Sequence, residues 1–448
     1  MYTPTKYRPD IDGLRAIAVL AVILYHFKID GFNGGLTGVD IFFVISGYLI
    51  TGIIIREVAA GTFSLLHFWE RRIRRIIPAL VVVVAVTTVV SYFYLLLPSD
   101  FAEFGRTLMA QSAFLSNWWF MGSIDYFSAS VETMPLLHTW TLAIEEQFYL
   151  LFPLFFIFIY PYVPKRFGLI LVGAAVLSFI YGVFLVNGMP TERFTIPYLP
   201  HLWGTATNES AGFYFIIPRF WEFLVGGIIA VYSPQIKDRF TAETVSLIGI
   251  GTIFAGIFLL KEAVPFPGLV TLIPVLGTAA VIVANSSCHT TVRAFLSFPI
   301  IVWVGLLSYS LYLWHWPVLV FARYKQYQDE FLSVSDKFFL LVGIFILSYL
   351  TYRYVETPFR KNRYLADSKK LYFCAALSLI ALFGTGLFIT LHQGFPERLT
   401  PSALIIATSI DDTNPRKEEC FTRSEITTGL SDQEPCLLGT QDPTQIDF

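Results

Sequence analysis

Apolar residues in this chain run in blocks about as long as a bilayer is thick, separated by short polar segments. Roughly 20 helical residues, rising ~1.5 Å each, cross the ~30 Å of hydrocarbon. Eleven blocks fit, at 11–27, 36–56, 76–97, 138–160, 167–186, 212–232, 243–260, 269–285, 299–321, 336–355 and 371–391. The first is short: its apolar part, AIAVLAVILYHF, would be thin unless protein surrounds it. Residues 101–121 are apolar but carry Glu103, Arg106 and Asn117, and read as an interfacial or re-entrant helix rather than a span. The pattern predicts an all-α polytopic membrane bundle of about ten core helices with one extra C-terminal helix. No internal repeat is evident, which weighs against transporter folds built from inverted halves.

Composition agrees. The chain is 55% hydrophobic and 14% charged, where soluble domains carry about 25% charged residues. A net charge of −2 over 448 residues gives no electrostatic footprint for nucleic acid. The start, MYTPTKYRPDIDGLR, lacks a small-residue cleavage pattern, so the first helix is expected to direct insertion itself. Lys and Arg fall in alternate loops: Arg71, Arg72, Arg74 and Arg75, then Lys165 and Arg166, then Lys237 and Arg239, then Arg360, Lys361, Arg363, Lys369 and Lys370. The positive-inside rule places these loops and the N-terminus, with Lys6 and Arg8, in the cytoplasm and the C-terminus outside. The long loops 98–136 and 187–211, aromatic and polar with few Lys or Arg, then lie outside as well. So does the polar tail 392–448, where Cys420 and Cys436 are expected to form a disulfide, free thiols being the alternative. No metal site is expected, because the seven histidines show no paired ligand spacing.

A charge near the middle of a bilayer costs at least about 2.5 kcal/mol, so the ionisable residues inside the spans need a reason. Asp12 and Arg15 are i,i+3 neighbours on the first span and can pair. His26 lies three turns further, roughly 16 Å along the axis on a similar face. That face offers a cation at one end and a proton acceptor at the other, although Arg15 also suits a snorkelling anchor and His26 a satisfied interface residue. The block HTWTLAIEEQFYL holds His138, Trp140, Glu145 and Glu146. Adjacent carboxylates point in different directions on a helix, so only one of the two glutamates is expected to face a site. Arg219 and Glu222 read as a structural ion pair. SYSLYLWHWP carries Tyr312 and, between the interfacial tryptophans Trp314 and Trp316, His315; YRYVETPFRK carries Glu356, at a helix end that also suits the entrance for an anionic ligand. The run RRIRRIIP puts four arginines in five residues; membrane orientation, anionic lipid and phosphate binding all account for it.

Taken together, YRPDIDGLRAIAVLAVILYHF, GVDIFFVISGYLIT, RRIRRIIPAL, HTWTLAIEEQFYLLFP, SYSLYLWHWP and VETPFRK resemble the successive motifs of the acyltransferase-3 family of membrane acyltransferases. The resemblance covers roughly 7–365, implying an acyltransferase domain over 1–365. It extends to a fused subgroup, which implies an additional helix at 366–392 and a periplasmic linker at 393–448. That linker would lead to an SGNH-hydrolase-like domain, whose Gly-Asp-Ser block does not appear before Phe448.

The resemblance implies an O-acyltransferase of the bacterial inner membrane. It would move an acyl group, acetyl above all, from cytoplasmic acetyl-CoA to a hydroxyl of a surface polysaccharide or lipid-linked glycan such as lipopolysaccharide O-antigen. Arg71, Arg72, Arg74 and Arg75, with Arg15, are then the expected holders of the CoA phosphates, with Asp12 beside Arg15. His26 is the expected base or transient acyl carrier, oriented by Glu145 or Glu146. His138, Trp140, Arg219, Glu222, Tyr312, His315 and Glu356 are expected to support substrate or structure. A transporter using the same buried charges, or a non-catalytic scaffold feeding a separate periplasmic enzyme, are the rival readings; binding or hydrolysis of acetyl-CoA separates the first from transfer.

Overall fold

A computed structural model describes residues 7–123, 133–188, 193–194, 206–260, 265–325 and 332–411. Cys420, Cys436 and Lys6 lie outside the described residues, as does most of the tail. The described helices are α1 (Pro9–His26), α2 (Gly38–Ala59), α3 (Leu65–Tyr94), α4 (Pro98–Ser112), α5 (Ser116–Ser123), α6 (Thr139–Ile159) and α7 (Phe167–Gly188). They continue with α8 (Asn208–Tyr214), α9 (Ile216–Tyr232), α10 (Arg239–Leu259), α11 (Leu272–Ser287), α12 (Thr291–Leu296) and α13 (Pro299–Lys325). Last come α14 (Val334–Thr351), a π-type turn at Tyr352–Glu356, α15 (Thr357–Arg360), α16 (Ser368–Leu391) and α17 (Pro401–Asp411). A two-residue antiparallel pairing of β1 (Arg193–Phe194) with β2 (Ala206–Thr207) is the sole sheet among the described residues. The protein is a polytopic all-α membrane bundle.

Ten segments among the described residues are long and apolar enough to cross a membrane. They correspond to the second to eleventh predicted spans. The first predicted span, α1, is not among them, because Asp10, Asp12 and Arg15 crowd its first two turns. It is instead enclosed by protein: Leu14, Ala18, Val19, Val22 and Ile23 are fully buried, and α1 packs between α2 and α13. The α1–α13 crossing is close enough that a Cβ at Gly305 would strike the carbonyl oxygen of Asp12. Small residues of this kind let membrane helices approach backbone to backbone. The crossing of α2 and α9 is built the same way, with Gly47 against Phe223 and Gly226 against Val44.

Two boundaries differ from expectation. The third span starts at Leu65 rather than 76, so the arginine cluster sits on the helix and not in a loop. Ser64 caps this helix by accepting from the His67 amide at 3.4 Å, and Pro78 lies inside it without ending it. The segment is helical because the Glu and Arg residues of WERRIRR are good helix formers. The sixth span is broken: α8 ends at Phe215, whose ψ of 141° is extended, before α9 begins. The segment expected to be interfacial forms α4 and α5. Helix α4 lies along α16, with Gly105 and Gly386 facing each other, so the additional C-terminal helix is packed onto the bundle.

Candidate active site

The amino-terminal half of α2, the first turns of α3, the amino-terminal half of α6 and the middle of α13 converge on the amino-terminal part of α1. They enclose a cavity of about 90 Å³, lined by Arg15, Ser46, Arg72, Arg75, Glu145 and Tyr149 among others. The helical placement of the arginine cluster divides it. Arg71 turns away to pair with Glu57 at 2.8 Å. Arg74 pairs with Glu70 at 2.7 Å and donates to the carbonyls of Leu365 and Ala366 at 2.8 and 3.0 Å. Arg72 and Arg75, one turn apart, line the cavity. The buried Nε of Arg72 has no hydrogen-bond partner, and Arg75 makes no direct hydrogen bond or ion pair among the described residues.

Arg15 reaches the same cavity while holding Asp12 at 3.2 Å, and Tyr7 donates to the other oxygen of Asp12 at 2.7 Å. Of the two adjacent glutamates, Glu145 lines the cavity, accepting from Ser46 at 3.2 Å and from Tyr149 at 3.1 Å. Glu146 points towards the Arg72 side, with its Oε1 unpaired. The lining thus sets three guanidinium groups against one carboxylate, an arrangement suited to an anionic ligand. Glu356, on the π-type turn, accepts from Ser310 at 3.3 Å and lies 3.5 Å from Arg360.

The far end of the cavity is closed by Tyr312 and Thr141, whose hydroxyls are 2.6 Å apart. Tyr312 also donates to the His138 carbonyl at 3.0 Å. Beyond this pair lie three imidazoles. His315 is fully buried, and its Nδ1 is 2.6 Å from the Tyr312 carbonyl oxygen while its Nε2 is 3.1 Å from Nδ1 of His26. The His138 ring stands edge-on to His315 with centroids 5.6 Å apart. Pro317 withholds the amide that would bond the Leu313 carbonyl. That carbonyl lies beside His138, yet neither His138 nitrogen reaches hydrogen-bond geometry. His26 packs edge-on against Trp316 at 4.7 Å, Trp316 donates to the Met134 carbonyl at 2.7 Å, and Arg323 donates to the His26 carbonyl at 3.0 Å.

Three of the singled-out residues, Trp140, Arg219 and Glu222, lie elsewhere. Trp140 packs on Phe213 and Tyr214 at 4.5 and 5.4 Å. Arg219 sits between Asp40 and Glu222 in a wholly buried triad. Residues that sequence reasoning passed over are Ser46, Tyr149, Thr141 and Tyr309. Tyr149 was within reach, since it follows Glu145 by one turn; Ser46 was not, because only the α2–α6 packing brings it there. Among the described residues, no group of three or more His, Cys, Asp or Glu side chains could hold a metal.

A membrane bundle with an arginine-rich cavity at one end of a buried helix and imidazoles at the other defines the class, an integral membrane protein with buried ionisable groups at both ends of its first helix. An acyltransferase domain model matches residues 8–353, and the chain belongs to that acyltransferase-3 family. It is 33% identical over 374 residues to the peptidoglycan O-acetyltransferase OatA of Listeria monocytogenes, covering 80% of this chain and 57% of that protein. It is 32% identical over 410 residues to the O-acetyltransferase OatA of Staphylococcus aureus, covering 85% of this chain and 62% of that protein. The chain therefore spans less than two thirds of the length of these relatives. No solved structure matches it.

Proposed function

We propose that this chain transfers an acyl group, acetyl in the first instance, from cytoplasmic acetyl-CoA to a hydroxyl of a carbohydrate on the outer side of a bacterial inner membrane. The observation that carries the reading is the division of α1 between two environments. Arg15 lies in the cavity with Arg72 and Arg75, and His26 lies at the other end of the helix among His138 and His315. The unpaired donors of Arg72 and Arg75 fit the phosphates of a nucleotide-bearing thioester. The distribution of Lys and Arg supports an arginine-bearing end in the cytoplasm and histidines towards the outer face. The name of the Listeria relative supports a carbohydrate acceptor, with peptidoglycan and lipopolysaccharide O-antigen both in scope.

Acetyl-CoA supplies an activated thioester carbonyl. Arg72, Arg75 and Arg15 hold its anionic part, and Glu145, fixed by Ser46 and Tyr149, is the carboxylate of the same lining. His26 takes the proton of the acceptor hydroxyl as its oxygen attacks the carbonyl carbon. An ester forms, the carbon–sulfur bond breaks, and the proton leaves with the thiol.

The reading is tested with purified chain in lipid nanodiscs, radiolabelled acetyl-CoA and a soluble glycan acceptor. Label in an alkali-labile ester on the glycan supports it. Binding of acetyl-CoA with no ester formed, or export of the thioester intact, defeats it. The arginines give a finer expectation. Arg72→Gln and Arg75→Gln each remove a charge-assisted contact, worth about 1.5–3 kcal/mol, and should raise KM for acetyl-CoA about 10- to 100-fold. Arg71→Gln, whose guanidinium is committed to Glu57, should stay within about twofold of the parent, since this partly solvent-exposed pair lies outside the cavity lining. Equal effects at all three positions would mean that the cavity does not hold the donor.

A further inference from the structure

The contact between His26 and His315 joins residues 289 positions apart in the chain. The planes of the two rings are within 13° of parallel, with centroids 5.3 Å apart. That separation matches the N···N distance of 3.1 Å extended by the two ring radii. The rings therefore meet end to end in a common plane, the geometry of an N–H aimed along a lone pair and not of face-to-face stacking.

The direction of this bond follows from its neighbour. A carbonyl oxygen only accepts, so Nδ1 of His315, 2.6 Å from the Tyr312 carbonyl, carries a hydrogen. His315 is fully buried, and no acidic side chain among the described residues contacts it. An imidazolium there would be a buried charge without a counter-ion. In the neutral ring, Nε2 is then an acceptor, and the group facing it, Nδ1 of His26, is the donor. His26 accordingly holds its hydrogen on Nδ1 and its lone pair on Nε2.

We propose that His315 is a positioning residue that fixes the tautomer of His26, acting through a chain of two hydrogen bonds from the Tyr312 carbonyl. The inference rests on the reading of His26 as the base that takes the acceptor proton. His315 fills the place that a buried carboxylate occupies behind the imidazole in hydrolytic triads, where the wrong tautomer alone costs about 10⁴-fold in rate. A neutral acceptor holds the tautomer but does not stabilise the imidazolium formed during transfer, so its removal is expected to cost less.

The test uses the full chain, labelled with nitrogen-15 histidine and reconstituted in lipid. The His26 resonances are assigned by their absence in His26→Ala. Nitrogen shifts characteristic of an Nδ1–H, Nε2-lone-pair ring are expected for His26. In His315→Phe, which keeps the ring volume and removes the acceptor, those shifts should move towards the Nε2–H form. Its kcat should fall about 10²-fold, with KM for acetyl-CoA unchanged because the arginine cavity is separate. His315→Gln, whose amide oxygen can accept from Nδ1, should recover part of the rate and of the tautomer. An Nε2–H ring at His26 in the parent protein overturns the proposal, as does unchanged kcat in His315→Phe. Should His315→Phe not fold, the parent spectrum and His315→Gln still decide it. Activity retained in His26→Ala would defeat the base reading, whereas the parent spectrum reads the tautomer independently of that outcome.

Discussion

His26→Ala should lower the rate of acetyl transfer about 10²- to 10⁴-fold, the usual contribution of a positioned general base, while KM for acetyl-CoA stays near that of the parent. The split follows from the geometry. Donor contacts lie on the Arg15 side of Tyr312 and Thr141, and the substituted ring lies on the other side. The helix itself should survive the change. Helix α1 is held by the buried face Leu14, Ala18, Val19 and Val22 and by its close crossing with α13 at Gly305. What is lost locally is the donor to Nε2 of His315, a cost of about 1–3 kcal/mol at most. Single-turnover transfer of label, with the melting temperature measured on the same preparation, checks the expectation. His67→Ala is the control, since that ring is largely exposed at the start of α3 and lies 3.6 Å from Glu70, away from the cavity. A variant of His26 that transfers at the parent rate would leave no role in proton transfer for the first helix.

All but the first of the spans were legible because their apolar runs are long enough to match a bilayer. What the pattern could not carry was anything that depends on two distant segments meeting. Arg15 and His26 were visible as polar residues on one apolar helix, and the block containing Glu145 was visible by the same argument. Which glutamate faces the cavity was not, because a choice between adjacent helical positions depends on the rotation of α6, set by packing against α2 and α5. The arginine cluster was found but taken for a loop of four equivalent cations. On a helix, residues 72 and 75 share a face, but 71 is also one turn from 75. The partners supplied by other segments, Glu57 for Arg71 and the Leu365 and Ala366 carbonyls for Arg74, separate structural cations from cavity ones. The partnership of His315 with His26 lay furthest from reach. The tryptophans either side of His315 gave a sufficient account of its neighbourhood as an interfacial belt, and only the crossing of α1 and α13 turns it towards His26.

The same limit applies to Arg219, and here it leads to a large expected effect on stability. The i,i+3 spacing with Glu222 was readable, but the third member, Asp40, comes from α2. Arg219, Asp40 and Glu222 have no solvent exposure at all. The guanidinium donates to Asp40, lies 2.8 Å from Glu222 and stacks over Phe43 and Phe266 at 5.4 and 5.6 Å. Arg219→Met would leave two buried carboxylates facing each other without a cation. Breaking a buried pair from one side costs about 3–5 kcal/mol, and the loss should appear as a lower melting temperature and poor recovery from detergent. Glu222→Gln should cost far less, because one guanidinium then faces one carboxylate and the amide can still accept from Arg219. This asymmetry distinguishes a charge clamp between α2 and α9 from simple packing. If packing alone held the two helices, through Gly47 and Gly226, methionine would substitute for arginine with little penalty and the two variants would melt together.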